Sequence, residues 1–406
     1  MGLTPADGQG RHLAELVGTI VRQGSLPLEE ALALPGEAYE SPAFYELERR
    51  EILEREWVCV GRVDQVPDAG SYLAMDLLDE PLLMVRDDAG VVRVFSRVCR
   101  HRYEDLLGGE TPAEERVRGC ARRFECPYHA WTYRLDGSLL SAPEMADRPG
   151  FDLKEFPLVE IRSAQWQGFV FVNLTGDAEP LDMSPLEPVL DGYSFTDWVV
   201  VDTLDWGDTR VNWKIVVENF LEAYHHIGIH KNVLQPLWPL SVVERGPYIG
   251  PEWYAGRMFA GPEFATGEEE GYLQMPTWLP VAEGLSAYQR SHTLLLARFP
   301  LFLLAPGPDL AFWFRLFPTG PETHDLQIHL LAPATSRESP EFSEGLAKVM
   351  EFITEVQGQD ASVNERVQSS TKSRHARGGP LALHEQPLWN LQQYLRKVLG
   401  HLVEAG

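Results

Sequence analysis

Asn212-Trp-Lys-Ile-Val-Val-Glu-Asn-Phe-Leu-Glu-Ala-Tyr-His-His-Ile-Gly-Ile-His230 sets two carboxylates, Glu218 and Glu222, and three imidazoles, His225, His226 and His230, among core residues. Trp213, Ile215, Val216, Val217, Phe220, Leu221 and Tyr224 leave such a helix little polar face. Ionisable groups on a buried helix are costly unless something pairs with them. A metal is one such partner, and two neutral His with one carboxylate form the open ligand set of non-haem Fe(II) sites that bind O2. Glu222 and His225 are three apart and share a helix face. His225 and His230 are five apart, roughly 140° around an ideal helix, so one ion cannot take both from a regular helix. The helix is therefore expected to break between them, with Gly228 as the expected point of distortion. The carboxylate of the set stays open at this level among Glu222, Glu355, Asp360 and Glu365.

Outward from this stretch, the chain has the composition of a globular protein of about two domains, with 406 residues, 44% hydrophobic content and 11 Trp. A formal charge of −25 argues against nucleic acid and against an anionic membrane surface. No apolar run approaches the roughly 20 residues of a membrane span. The N-terminal stretch lacks a basic start followed by an apolar core, so the cytoplasm is the expected compartment. There the four cysteines, Cys59, Cys99, Cys120 and Cys126, are expected as ligands or thiols rather than disulfides.

Residues 1–45 form an N-terminal arm with an amphipathic segment from Arg11 to Gln23. Ser41-Pro42 opens a second helix by its cap and first-turn chemistry. From Trp57 the pattern turns to short apolar alternations broken by Asp88-Ala-Gly90 and Asp136-Gly137, which predicts a small antiparallel β domain over 46–160. Two of its loops carry a second set of ligand-type residues. Cys99-Arg-His101 and Cys126-Pro-Tyr-His129 each offer one thiolate and one imidazole. Such a set suits a structural zinc or a [2Fe–2S] cluster whose two irons take different ligands. The mixed pairing within each loop favours the cluster. Cys59 reads as an inert core thiol and Cys120 as structural.

The remainder, 161–406, reads as an α+β domain. Strands are expected at Gln167–Leu174, Trp198–Thr209, Thr293–Phe299, Leu301–Ala305, Leu310–Phe317 and Asp325–Ala332. A long helix is expected over Phe342–Ser370 and a terminal one over Pro387–Val403. The stretch 252–290 reads as irregular, either a packed surface loop or a lid over a pocket.

Both sets of ligand-type residues resemble those of the α subunits of Rieske non-haem iron oxygenases, a group of ring-hydroxylating dioxygenases and of choline-, carnitine- and betaine-type monooxygenases. Cys99-Arg-His101 with Cys126-Pro-Tyr-His129-Ala-Trp131 resembles the Rieske motif. Asn212-Trp-Lys, Glu218-Asn-Phe and Glu222-Ala-Tyr-His225-x4-His230 resemble the mononuclear iron motif, and Gln359-Asp360-x2-Val363-x-Glu365 the stretch with the third ligand. The resemblance implies a small antiparallel β Rieske domain and a helix-grip (SRPBCC, Bet v 1-like) catalytic domain with an antiparallel sheet and a long C-terminal helix. It implies Cys99, His101, Cys126 and His129 as cluster ligands and His225, His230 and Asp360 as the Fe(II) triad. Glu222 becomes a bridge between that iron and a neighbour's cluster, with Asn219 beside the site. A homotrimer, a separate reductase with or without a ferredoxin, NAD(P)H as the distant reductant, O2 and a small organic substrate are implied with it.

Two departures stand out. The bridging residue is Glu where the ring dioxygenases more often have Asp, which tilts the reading toward monooxygenation or demethylation of a quaternary amine, with aromatic ring dihydroxylation as the alternative. The gap between the cluster loops is long, with Thr111–Arg116 as its expected insertion. A reading of another class is a non-catalytic Rieske electron carrier or zinc-stapled module, which has no use for the iron triad.

Overall fold

The computed structural model describes residues 8–109 and 116–404, so residues 111–115 of the expected insertion lie outside the described residues. Glu54–Leu181 form one compact unit, and the residues up to Leu53 with those from Asp182 onward form the other.

In the larger unit, helix α1 (Gly8–Gln23) packs along the terminal helix described below. Helix α2 (Pro42–Glu48) starts where Ser41 accepts a hydrogen bond from Phe44 N, 3.2 Å, with proline in the first turn. A π turn, Arg49–Leu53, extends it. Helix α3 (Trp213–Leu221) follows a long strand, and the short helix α4 (Leu234–Leu237) follows α3. Helix α5 (Phe342–Thr371) is the 30-residue helix expected from its apolar spacing, and α6 (Gln386–Glu404) closes the chain.

Helices α3 and α6 pack on one antiparallel sheet of seven strands. Their order is Trp198–Thr209, Thr323–Pro333, Ala311–Gly320, Phe302–Pro306, His292–Arg298, Trp253–Phe259 and Val243–Glu244. The stretch expected to be irregular from 252 thus begins with a sheet strand. Trp253–Phe259 pairs with His292–Arg298 over its full length, because its alternate residues find apolar partners on both faces. The N-terminal arm belongs to this unit as well. Side chains of α6 hold it, with Trp389 Nε1 donating to Leu26 O at 2.9 Å and Gln392 Nε2 to Leu32 O at 2.7 Å.

In the smaller unit the described strands all pair antiparallel. One four-stranded sheet runs in the order Val92–Ser96, Glu80–Arg86, Ser71–Leu77, Arg118–Cys120, and two three-stranded sheets complete it. Its hairpins turn where the sequence marks them: Gly90 and Gly137 both take positive φ, +81° each, which costs glycine little. Among the described helices none is long and apolar enough to cross a membrane.

Candidate functional site

Helix α3 is pinned before it reaches the histidines. Asn212 caps it by accepting from Lys214 N, and Asn212 N donates to Gln368 Oε1 of α5 at 2.8 Å. Lys214 Nζ pairs with Glu48 of α2 at 2.8 Å, both fully buried. Tyr39 donates its hydroxyl proton to Glu218 at 2.9 Å.

The helix then stops earlier than the sequence suggests. Glu222 is already extended, φ −117° and ψ 152°, and Tyr224–Ile227 form a 3-10 turn. Gly228 keeps a right-handed backbone, φ −94°, so its expected role as the point of distortion passes to Glu222. The cause is a local cap. Glu222 Oε2 accepts from His225 N at 3.0 Å, satisfying the first turn after the break.

The break rotates the histidines toward each other. Ligand atoms of His225, His230 and Asp360 all lie within 4.8 Å of one another, the one such triad among the described residues. Asp360 Oδ1 stands 2.9 Å from His230 Nε2 and 3.7 Å from His225 Nε2. Each Nδ1 is held from behind: His225 Nδ1 by Glu222 Oε1 at 2.5 Å, and His230 Nδ1 by Gln359 Oε1 at 2.7 Å. This leaves both Nε2 atoms to face the carboxylate, the arrangement in which an outer partner fixes a metal-binding imidazole. Asn219 Nδ2 donates to Asp360 Oδ1 at 3.2 Å.

Burial disfavours the charged form of His225, but the Glu222 carboxylate, with Asp360 and Glu385 behind it, outweighs that and raises its pKa. His226 is pushed down to about 3 by burial and then by the two neighbouring imidazoles. Of the other acids open at the sequence level, Glu365 and Glu355 are exposed, and Glu355 accepts from Gln359 Nε2 at 3.2 Å. Asp360 alone continues the inward stripe of Val349, Ile353 and Val356, a spacing the sequence itself displays. Gln359 stands in the sequence motif without a role, because a neutral amide beside an acid carries no signal of its own; its bond to His230 supplies one.

The two cysteine loops of the smaller unit are near copies of one turn. Tyr103 N donates to Cys99 O at 3.2 Å, and Ala130 N to Cys126 O at 3.0 Å. Both donors stand at positive φ, 65° and 57°. The His101 and His129 rings meet edge to face with centroids 4.6 Å apart, and His101 stacks on Trp131 at 4.8 Å. Both Nδ1 atoms are buried without a hydrogen-bond partner. Burial, with the Cys99 thiol nearby adding to it, raises the pKa of Cys126. Cys99 Sγ also lies 3.3 Å from Tyr133 Oη.

Two orphaned imidazole nitrogens and two buried thiols, one of each on either loop, fit a metal group, since buried polar nitrogens without partners are costly. Among the described residues no three of these four donors close as tightly as the triad does. A single tetrahedral zinc, with bonds of about 2.0–2.3 Å, would need that closure; two irons spread their ligands further. Cys59 is a buried thiol whose pKa burial raises, and Cys120 is an exposed free thiol.

Residues 56–157 match the model of the Rieske [2Fe-2S] domain, and residues 194–401 that of the ring hydroxylating alpha subunit (catalytic domain). The chain belongs to the ring hydroxylating alpha subunits of the Rieske non-haem iron oxygenases. Its cofactors are accordingly a Rieske cluster and Fe(II), and the donor sets above fit both.

Among relatives of this oxygenase is the glycine betaine monooxygenase oxygenase subunit of Chromohalobacter salexigens. It is 29% identical over 363 residues, which are 82% of this chain and 79% of that one. The carnitine monooxygenase oxygenase subunit of Escherichia coli K12 is 31% identical over 200 residues, 48% of this chain and 52% of that one. The chain thus spans about half the length of that relative and more of the first. In fold, the oxygenase is similar to a quaternary ammonium Rieske monooxygenase, with TM-score 0.73, 22% identity, and 92% and 98% of the two chains covered. It is equally similar to naphthalene 1,2-dioxygenase from Rhodococcus sp., with TM-score 0.75, 18% identity, and 97% and 99% covered.

Proposed function

We propose that this oxygenase hydroxylates a carbon attached to the nitrogen of a small amine, releasing formaldehyde where that carbon is a methyl. The observation that carries the reading is the triad's position: Asp360 and His225 stand on the wall of a partly open, largely apolar cavity of about 110 Å³ that continues between α3, α5 and the sheet. A small substrate held there has its reacting carbon beside the metal-binding atoms and away from water.

In this reading Cys99, His101, Cys126 and His129 hold the cluster, and His225, His230 and Asp360 hold Fe(II). When bound, these groups supply stored electrons, delivered by a reductase drawing on NAD(P)H, and the activation of O2. The chain's own residues do the rest. Glu222 holds the Nδ1 proton of His225, and Gln359 that of His230, so both rings present Nε2. Asn219 orients the Asp360 carboxylate by donating to Oδ1. Phe220, Phe312 and Phe314 exclude water from the cavity. The balance is one O2, two electrons and two protons per substrate, giving the hydroxylated carbon and one water. A hydroxymethyl on nitrogen then breaks its C–N bond to give formaldehyde and the demethylated amine.

The glycine betaine, carnitine and choline specificities in the relatives' names support an amine. The Glu at position 222 agrees with that side of the family. A homotrimer in which Glu222 meets a neighbour's cluster histidine completes the proposal.

The test is metal counting with EPR on the dithionite-reduced protein, followed by turnover assays. About three irons per chain with a Rieske-type signal, two for the cluster and one for the triad, is the expected result. Formaldehyde or hydroxylated amine from amine substrates completes it. Zinc without a signal refutes the oxygenase; dihydrodiols from arenes, with amines inert, refute the amine.

A further inference from the structure

The cavity wall holds a third carboxylate that the metal-binding residues do not use. Asp309, in the turn after Phe302–Pro306, is 2% exposed and lines the same cavity as His225 and Asp360. Its Oδ2 accepts from Trp278 N at 2.7 Å and from Leu279 N at 2.9 Å. Those bonds fix the loop that carries Trp278, but they bring no positive charge. Among the described residues Asp309 has no ion-pair partner, and a buried carboxylate without one is costly.

Apart from the iron that His225 and Asp360 would hold, the same cavity has no fixed cation. Among the described residues no Lys or Arg lines it. The strands that build it do carry arginines, and strand alternation sets each on the other face. Arg257 sits beside the lining residue Met258 and lies over the Tyr288 ring. Arg315 follows the lining residue Phe314 and pairs with Asp325 at 2.7 Å. What the cavity offers instead is ring surface: Phe220 against Phe314 at 4.6 Å between centroids, and Trp278 against Phe352 at 5.0 Å. Aromatic faces attract an ammonium ion, and most strongly when it is desolvated.

We propose that this cavity selects an organic ammonium ion that carries no carboxylate, with Asp309 as its counter-charge. The inference rests on the amine reading above and narrows it. Glycine betaine and carnitine are zwitterions. Here their carboxylate would meet Asp309 and no Lys or Arg in the same wall, and it could reach a positive charge only by taking the positions on the iron that O2 needs. A choline-like or simple alkylammonium ion meets neither penalty. Asp309 thus acts on specificity, and no bond to it is made or broken in the reaction.

Calorimetric titration of the iron-loaded protein tests this without turnover. The probes are choline, tetramethylammonium, glycine betaine, and 3,3-dimethylbutan-1-ol, which copies choline with carbon in place of nitrogen. Choline is expected to bind about thirtyfold or more tighter than both the neutral copy and the betaine. Asp309→Asn is expected to reduce the preference over the neutral copy by about tenfold. The wild-type comparison stands even if that variant unfolds. Betaine binding as tightly as choline, or a neutral copy binding equally well, overturns the inference and leaves the amine reading in place. No binding by any ammonium ion overturns both.

Discussion

His230 shows how much of this site depends on residues that never touch the reacting atoms. The ring is fully buried, with Gln359 at Nδ1 and Asp360 at Nε2. Gln359→Ala removes the acceptor that fixes the ring's tautomer. Iron affinity is expected to fall roughly 10- to 100-fold, the usual cost of losing such a partner. Fold stability should change little, since Gln359 is only partly buried. Iron retained after graded dialysis, set beside a urea melt, checks this; unchanged retention refutes the orienting role. At this scale the sequence shows the ionisable ligand-type residues by their type and spacing. Gln359 and Asp309 escape it because their meaning depends on where α5 and the turn after Phe302–Pro306 place them.

At the scale of the element, α3 is where the reading from sequence was half right. Five-residue spacing calls for a break between His225 and His230, whereas the break stands before both. It lies at Glu222 because the side chain that holds His225 also caps the following turn, a competition between helix and cap that spacing alone does not reveal. The same helix carries Glu218, whose carboxyl is raised from 4.5 to about 7, chiefly by burial, with Glu385 and Glu222 adding to it. A raised carboxyl favours the folded state while it is protonated. That stability is whole below pH 4.5 and is lost as pH rises through about 7. Two and a half units correspond to at most about 3 kcal/mol. Glu218→Gln keeps an acceptor for the Tyr39 hydroxyl and cannot ionise. Its urea midpoint should match wild type near pH 5 and exceed it near pH 8. Parallel curves across that range would show that Glu218 titrates as an ordinary surface acid.

For the whole molecule, the change from strand alternation to helical spacing was legible, whereas the place of the N-terminal arm was not. Contacts such as Trp389 to Leu26 join residues more than 360 positions apart, and no local pattern announces them. The relation between copies is likewise decided by surfaces. Around the cluster loops Tyr103 is 85% exposed and Arg100 and Arg102 are exposed; next to Glu222, Tyr224 and Ile227 are exposed in turn. In a head-to-tail ring each such surface would meet the other on a neighbouring copy. That arrangement makes the two centres separable by chain. A His101→Ala chain lacks a competent cluster, and an Asp360→Ala chain lacks competent iron; each alone should be inactive. Co-expressed in equal amounts, half the chains keep their iron site, and half of those face a neighbour with an intact cluster. About a quarter of wild-type activity per chain should therefore return in a heterologous ring. If electrons passed only within one chain, no mixture of the two could recover any activity, because every chain would carry one broken centre. Size-exclusion light scattering on the mixture, with turnover measured on the same fraction, separates the two cases.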